Sequence, residues 1–375
     1  AYRRAAAALP RLRDVLAGSG AGGLVLTSPG SVAWATGGAS PAIDRSAALD
    51  PAWVAVGPDV VRVVTSSVEA ARLRAEGPFG ELGWEVAEVP WWEPAAFVKA
   101  AADVFGGATD LIGSDGHPAF QVDLSAELIA TRMVLSAPDV EAVRLLGQQA
   151  TAVVESALRE WTPGATDLEV AARIAAGVES LGALAPVLLV GGDDRLARFR
   201  HPVATGAPLL DAVMAVLVAS RGGLHVALTR YAATASWAAA MQGPLATVRR
   251  IHARVLEQCR PGVSAGSVLA ELDAGYRDEG YPEAWREHYQ GGPIGYAQRE
   301  FEISPAQRGD PWWEFQLAGC IAVAWNPSIS GGAKDEDTYL IGADGVEQIT
   351  YTADWPTTTA GAGTSSRPAV LVADR

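Results

Sequence analysis

Lysine is almost absent from this chain of 375 residues. It occurs only at Lys99 and Lys334, against 27 arginines. Cysteine is nearly as scarce: Cys259 and Cys320 are the only two. Two distant thiols form no disulfide framework and give no CxxC metal spacing. Long apolar runs are also missing. The longest, such as "APLLDAVMAVLVAS", are too short or too interrupted to span a bilayer. The leading stretch, "AYRRAAAALPRLRDVLAG", has basic residues but no apolar run of signal-peptide type. Positive charge is in deficit, with a formal net charge of −14. That field repels phosphate backbones and anionic lipid, so neither nucleic acid nor a membrane surface is the expected partner. A cytoplasmic protein with a small-molecule substrate is expected.

What is present suffices for two ordinary domains, each with its own core. Near the start, "AAALPRLRDVLAG" has apolar residues at helical spacing and ends in glycine. "GGLVLTSPG", "AWVAVGPDVVRVVTSS" and "WEVAEVPW" read as strands, interleaved with helical "SVEAARLRAEG" and "PAAFVKAAADVFGG". Such alternation predicts an α/β domain with a partly parallel sheet. "GSGAGG" (18–23) imitates a dinucleotide loop, but the helix precedes it and the strand follows. That is the wrong order for a pyrophosphate site, so it reads as a helix stop.

The pattern changes near residues 131–136. Ser136 and Pro138 begin a long helix, and Thr166 or Asp167 caps the next. "AVMAVLVASRGGLHVALTRYA" reads as a strand hairpin, and two helices and further strands follow. The expected layout is a first domain over 1–131, a second over 132–356, and a loose tail over 357–375 rich in small polar residues. "GGDDRLARFR" reads as a surface loop with Asp193, Asp194 and Arg195 solvated, and His117 and His252 read as surface residues.

Four segments of the second half put polar residues beside strand ends or glycine turns: "RFRHPVATG", "GGLHVALTRYA", "HYQGGPIGYAQRE" and "AWNPSISGGAKDEDTYLI". Polar groups placed there cost free energy unless paired or used. Together with "LPRLRDVLAGSGAGGLVLTSPGSVAWATGG", "TRMVLSAPDVEAVRLLGQQATAVVESAL" and "EWTPGATDLEVAARI", their order resembles the creatinase, aminopeptidase P and methionine aminopeptidase (M24) family over nearly the whole chain. The resemblance implies an α/β (α+β) protein, with a creatinase-type N-terminal α/β domain followed by a C-terminal pita-bread domain. It also implies a homodimer.

Metal-dependent members of that family hold two divalent ions with two Asp, one His and two Glu. Aligned on Thr229-Arg230, the Asp positions fall on Val216 and Ala227. The His position falls on Gly292, the first Glu on Asn326, and the last on Glu336, the one ligand retained. One carboxylate and one amide cannot offset the desolvation of a dinuclear divalent site. No metal and no cofactor is therefore expected.

Creatinase, within the resemblance, cleaves a C–N bond without metal, using a His and carboxylates. His201 in "RHPVATG" matches that His, and Glu336 matches one of the carboxylates. Thr229 stands where creatinase has a second. His201 and Glu336 are thus the candidate catalytic pair: imidazole relays protons near neutrality, and a carboxylate orients it. Arg200 and Arg299 are candidates for a substrate carboxylate. Thr229, His288, Tyr296, Glu300, Trp325 and Asn326 complete the candidate substrate-binding set. Two functions are open at this stage. One is a metal-independent hydrolase or lyase acting on a C–N bond of a small amino-acid-like substrate. The other is a non-catalytic protein of the same fold that binds a ligand or partner.

Overall fold

The computed structural model describes residues 1–39, 43–44, 49–359 and 366–373. The chain divides into two compact units, Ala1–Val140 with Gly222–Leu224, and Glu141–Arg221 with His225–Arg375. No helix among the described residues is long and apolar enough to cross a membrane.

The first unit begins with α1 (Tyr2–Ser19), whose buried face is Ala5, Ala8, Leu12 and Leu16. Gly20 ends it in the left-handed conformation, as the glycine-rich stretch predicts. The strands are β1 (Gly23–Leu26), β2 (Ala52–Val56), β3 (Val61–Ser66), β4 (Glu85–Val89), β5 (Ile112–Ser114) and β6 (Val122–Asp123). They form one sheet in the order β4-β3-β2-β1-β5-β6. Its β3–β4, β1–β5 and β5–β6 pairs are parallel and the rest antiparallel, the mixed sheet that the alternation predicted. The helices α2 (Pro29–Thr36), α3 (Ala70–Glu76), α4 (Pro94–Ala102) and α5 (Ser125–Met133) complete the unit. Val25, Trp53, Val64, Ile112 and Phe120 belong to one buried cluster, against which Phe97 and Phe105 pack.

The long helix α6 (Ala137–Arg159) follows. At its start, Asp139 accepts hydrogen bonds from Ser136 N–H and Ser136 Oγ. In α7 (Asp167–Ser180), Thr166 and Glu169 form a reciprocal capping box. Then come β7 (Leu184–Gly191), α8 (Asp194–Arg198), β8 (Ala212–Arg221), β9 (Leu224–Ala233), α9 (Ala235–Gln258) and α10 (Ala265–Asp278). The chain continues through β10 (Gly291–Ile294), β11 (Ala322–Trp325), β12 (Ser328–Ile329), β13 (Ala333–Lys334), β14 (Asp337–Ile341) and β15 (Val346–Gln348). It closes with β16 (Thr357–Thr359), β17 (Ser366–Pro368) and β18 (Leu371–Val372).

Two four-stranded sheets, β18-β9-β8-β7 and β10-β11-β14-β15, frame the second unit. Direct hydrogen bonds join them. His225 N–H donates to Gly295 O at 2.8 Å, and Thr229 N–H to Glu336 O at 2.9 Å. Thr338 Oγ1 both accepts from Ala227 N–H and donates to Ala227 O, each at 2.8 Å. Beneath this seam lies Arg230, about 1% exposed. It donates to Glu155 at 3.1 Å, Asp337 at 2.9 Å and the Thr350 carbonyl at 2.7 Å.

Three expectations are corrected. Residues 357–375 are not a loose tail where described. β18 pairs in parallel with β9, and Arg249 donates to Pro368 O at 2.7 Å. Arg367 is buried and donates to the Tyr339 hydroxyl. Backbone pairing and one buried guanidinium order a stretch whose composition suggested none; residues 360–365 and 374–375 lie outside the described residues. Asp193 and Arg195 are not merely solvated. Asp193 accepts from the N–H groups of Leu210, Asp211 and Ala212, and Arg195 donates to the buried Asp167 at 2.6 Å. His252 is fully buried in α9, with Nδ1 2.7 Å from Asp335. The unit boundary itself falls after Val140, later than the break in the sequence pattern.

Candidate active site

The floor of the site is apolar. Val187 and Leu189 on β7 and Val216 and Val218 on β8 line a cavity of ≈ 510 Å³. Polar side chains close it from the other strands and loops: His201, His288, Tyr289, Gln298, Arg299, Glu302, Asn326, Lys334 and Glu336. Five sequence candidates therefore meet in one space: His201, His288, Arg299, Asn326 and Glu336.

Glu336 is the buried centre of the group. Thr229 Oγ1 donates to its Oε2 at 2.9 Å, and Asn326 Nδ2 to its Oε1 at 3.3 Å. Two cations flank it, with Arg299 Nη2 3.5 Å from Oε1 and Lys334 Nζ 3.7 Å from Oε2. Burial alone would raise the carboxyl pKa, but Lys334 and then Arg299 outweigh it and hold Glu336 below the usual range. Glu336 is thus favoured as an anion, surrounded by donors. Asn326 keeps its Oδ1 buried and without a protein partner.

The segment 285–290 is pinned by Gln290. Its Nε2 donates to His288 O at 2.7 Å and to Trp285 O at 3.2 Å, and its Oε1 accepts from Tyr276 OH at 2.8 Å. The His288 Nδ1 lies against the Tyr289 carbonyl. A carbonyl only accepts, so Nδ1 carries the proton and Nε2 the lone pair. That lone pair faces Lys334 Nζ at 3.4 Å. Burial, then Lys334, pushes the His288 pKa down to about 3, so the ring is neutral throughout the working range. The His201 ring stands 4.8 Å from His288 and at 70° to it. Burial and then Lys334 also lower the His201 pKa, while Glu336 opposes them.

The remaining candidates lie elsewhere. Arg200 lines a second cavity and pairs with Glu287. Thr229 stands behind Glu336 and holds it. Glu300 is buried and accepts from Ala297 N–H at 3.1 Å, which stabilises the 295–300 turn. Tyr296 and Trp325 are buried core residues, 2% and 3% exposed, and line neither cavity. Burial of the large rings and the pairing of Trp325 with Gly291 on β10 direct them to the core.

Two residues are more involved than the sequence reading allowed. Lys334 is buried among the polar groups of the cavity. Its signal was its rarity, as the lone lysine of the second unit, two positions before Glu336. His252 sits beneath Asp335, adjacent to Glu336. The buried stripe Val248, Ile251 and Val255 marks its face of α9, which helical periodicity could have revealed.

A metal does not fit these residues. Among the described residues, no three His, Cys, Asp or Glu side chains are grouped so as to hold an ion. The oxygens of Glu336 already face an ammonium and a guanidinium. Val216 and Ala227 offer no donor. Gly292 has φ +154°, a backbone conformation that L side chains rarely adopt, although a Cβ there would meet only Phe301 O at 3.4 Å. The neighbouring Gly291 is tighter still, since its Cβ would lie 2.1 Å from Ala324 O.

Among solved structures, the chain is similar to dipeptidase PepE from Mycobacterium ulcerans at 21% identity and a TM-score of 0.74, covering 99% of this chain and 98% of that chain. It is similar to the Xaa-Pro dipeptidase from Bacillus anthracis at 18% identity and a TM-score of 0.70, covering 93% and 98%. The prolidase from Pyrococcus horikoshii OT3 matches at 16% identity and a TM-score of 0.72, covering 92% and 98%. At such identities the likeness establishes the fold, and the chain has the two-domain pita-bread fold that the sequence resemblance implied. No protein-family model matches the chain, and no curated protein matches its sequence.

Proposed function

We propose that this protein is a metal-independent enzyme acting on a C–N bond, by hydrolysis or elimination, in a small amino-acid-like substrate. One observation carries the reading. Two cations, Arg299 and Lys334, converge on the only retained ligand position, Glu336, in a cavity that also holds two histidines. Positive charge that a metal would bring is here built into side chains. Arg299 suits a substrate carboxylate. The unpartnered Asn326 Oδ1 suits an N–H of the substrate. His201, neutral at neutral pH, takes the proton from water or from the substrate and returns it to the leaving nitrogen. Glu336, already surrounded by donors, fixes the two cations and is not itself the base.

The first test is the metal content of untagged protein produced with added zinc, manganese, cobalt and iron. Less than roughly a tenth of an equivalent supports the reading. Near-stoichiometric metal that disappears in Glu336→Ala overturns it and restores metallopeptidase assays to first place. Turnover is then sought among guanidino, amidine and N-acyl compounds with chelator present. Tight binding with no product after prolonged incubation would instead favour the non-catalytic function.

The pH profile gives a second test. A base must be unprotonated, and His201 is held below its ordinary value of 6.5. The acid limb of kcat/KM therefore falls below pH 6.5, and activity rises with pH through it. A limb above the ordinary histidine value would remove His201 from this role.

A further inference from the structure

The site has a second lobe. Next to the charged cavity lies one of ≈ 700 Å³, and the two share His201, His288, Tyr289 and Glu302 in their linings. The lobes differ in chemistry. The inner one has Arg299, Lys334, Glu336, Glu302 and Asn326, with its unpartnered Oδ1, over an aliphatic floor. The outer one has Trp285, Tyr289 and Ile303, rimmed by Arg200, Arg286 and Glu287. An amino-acid head matches the inner lobe in charge and leaves the outer lobe unfilled. The shared residues also form a slot. The rings of His201 and Tyr289 are parallel to within 9°, with centroids 6.5 Å apart. The centroid separation is an upper bound on the gap between the ring planes, so a flat group enters only as Tyr289 swings outward toward the ~7 Å that two carbon contacts need. Tyr289 is 68% exposed and free to make that movement.

We propose that the substrate is an N-aroyl amino acid: a free carboxylate on Arg299 in the inner lobe, and a planar aromatic acyl group between His201 and Tyr289, running toward Trp285. The class rests on the C–N reading above and deepens it. The amide bond then lies at the neck, beside His201. Hydrolysis adds water across it. The water oxygen bonds to the acyl carbon, the C–N pair goes to nitrogen, and nitrogen takes a proton through His201. An aromatic carboxylate and a free amino acid leave, and nothing is oxidised or reduced.

The test is calorimetric binding to the full chain, in chelator, of three ligands that share one amino acid: its N-benzoyl form, its N-acetyl form and the amino acid itself. N-benzoyl is expected to bind about tenfold tighter than N-acetyl, from ring stacking and buried apolar area. In Tyr289→Ala that ratio collapses toward one. Tyr289 is exposed, so the variant keeps its fold. Arg299→Met weakens both acylated ligands together. A ratio near one in the unmodified protein, a ratio unmoved by Tyr289→Ala, or no binding by any of the three overturns the class. Product analysis keeps the two ideas apart. Tight N-benzoyl binding without product supports the class and defeats the enzymatic reading, whereas turnover of N-acetyl ligand with no aromatic preference does the reverse.

Discussion

Replacing His201 by alanine lowers kcat on a turned-over substrate by about 10²–10⁴-fold, the usual contribution of one positioned acid–base group. For a substrate without an aromatic acyl group the binding constant is expected to change far less, because in the proposed pose Arg299 takes the carboxylate and Asn326 the N–H; for an aromatic one it also loses the stacking share of the His201 ring. The neighbouring His288 cannot take over. Its Nδ1 is committed to the Tyr289 carbonyl, and its Nε2 faces Lys334. With its pKa pushed down to about 3, it is too weak a base near neutrality. Single-turnover kinetics beside equilibrium binding make the distinction. A variant that retains full turnover assigns the proton transfer elsewhere, and one that loses binding in proportion to rate makes His201 a binding group.

Replacing Arg230 by methionine lowers stability by about 3–5 kcal/mol, the cost of stranding buried charge. For a domain of this size the loss corresponds to a fall in Tm on the order of 10 °C. Arg230 is the shared partner of two buried carboxylates, Glu155 and Asp337, and it also caps the Thr350 carbonyl. Its removal leaves both buried acids without their shared cation. Neutralising them as well, in Arg230→Met/Glu155→Gln/Asp337→Asn, recovers much of the loss. A calorimetric scan of the parent, the single variant and the triple variant measures this. If the single variant melts within a degree or two of the parent, the network is not the clamp between helix α6 and strands β9 and β14 described here.

Much of this protein is written in local sequence. Gly20 stops α1 because its backbone tolerates a left-handed turn. Thr166 and Glu169 announce α7 because a short side chain meets the free amide groups of the first turn. The alternation of apolar runs gives the mixed sheet of the first unit. The site was legible to a similar degree. The family resemblance, counted from Thr229-Arg230, picks out Val216 and Ala227, whose side chains carry no metal donor, and Val216 does line the cavity. Residues whose roles depend on distant partners were not legible. His252 lies 83 positions from Asp335, and Arg367 reaches Tyr339 from a stretch of small polar residues.

Sequence by itself determined the two-domain α/β class and the order of the segments that meet around the site. These depend on residue type and on spacing along the chain, which are local quantities. Tertiary structure decided what the remaining groups do. It buried Lys334 against Glu336, turned Tyr296, Glu300 and Trp325 away from the cavity, and set Tyr289 parallel to His201. It also drew residues 366–373 into the second unit. Charge pairing, burial and ring spacing are set by neighbours in space, and no window of the sequence contains them.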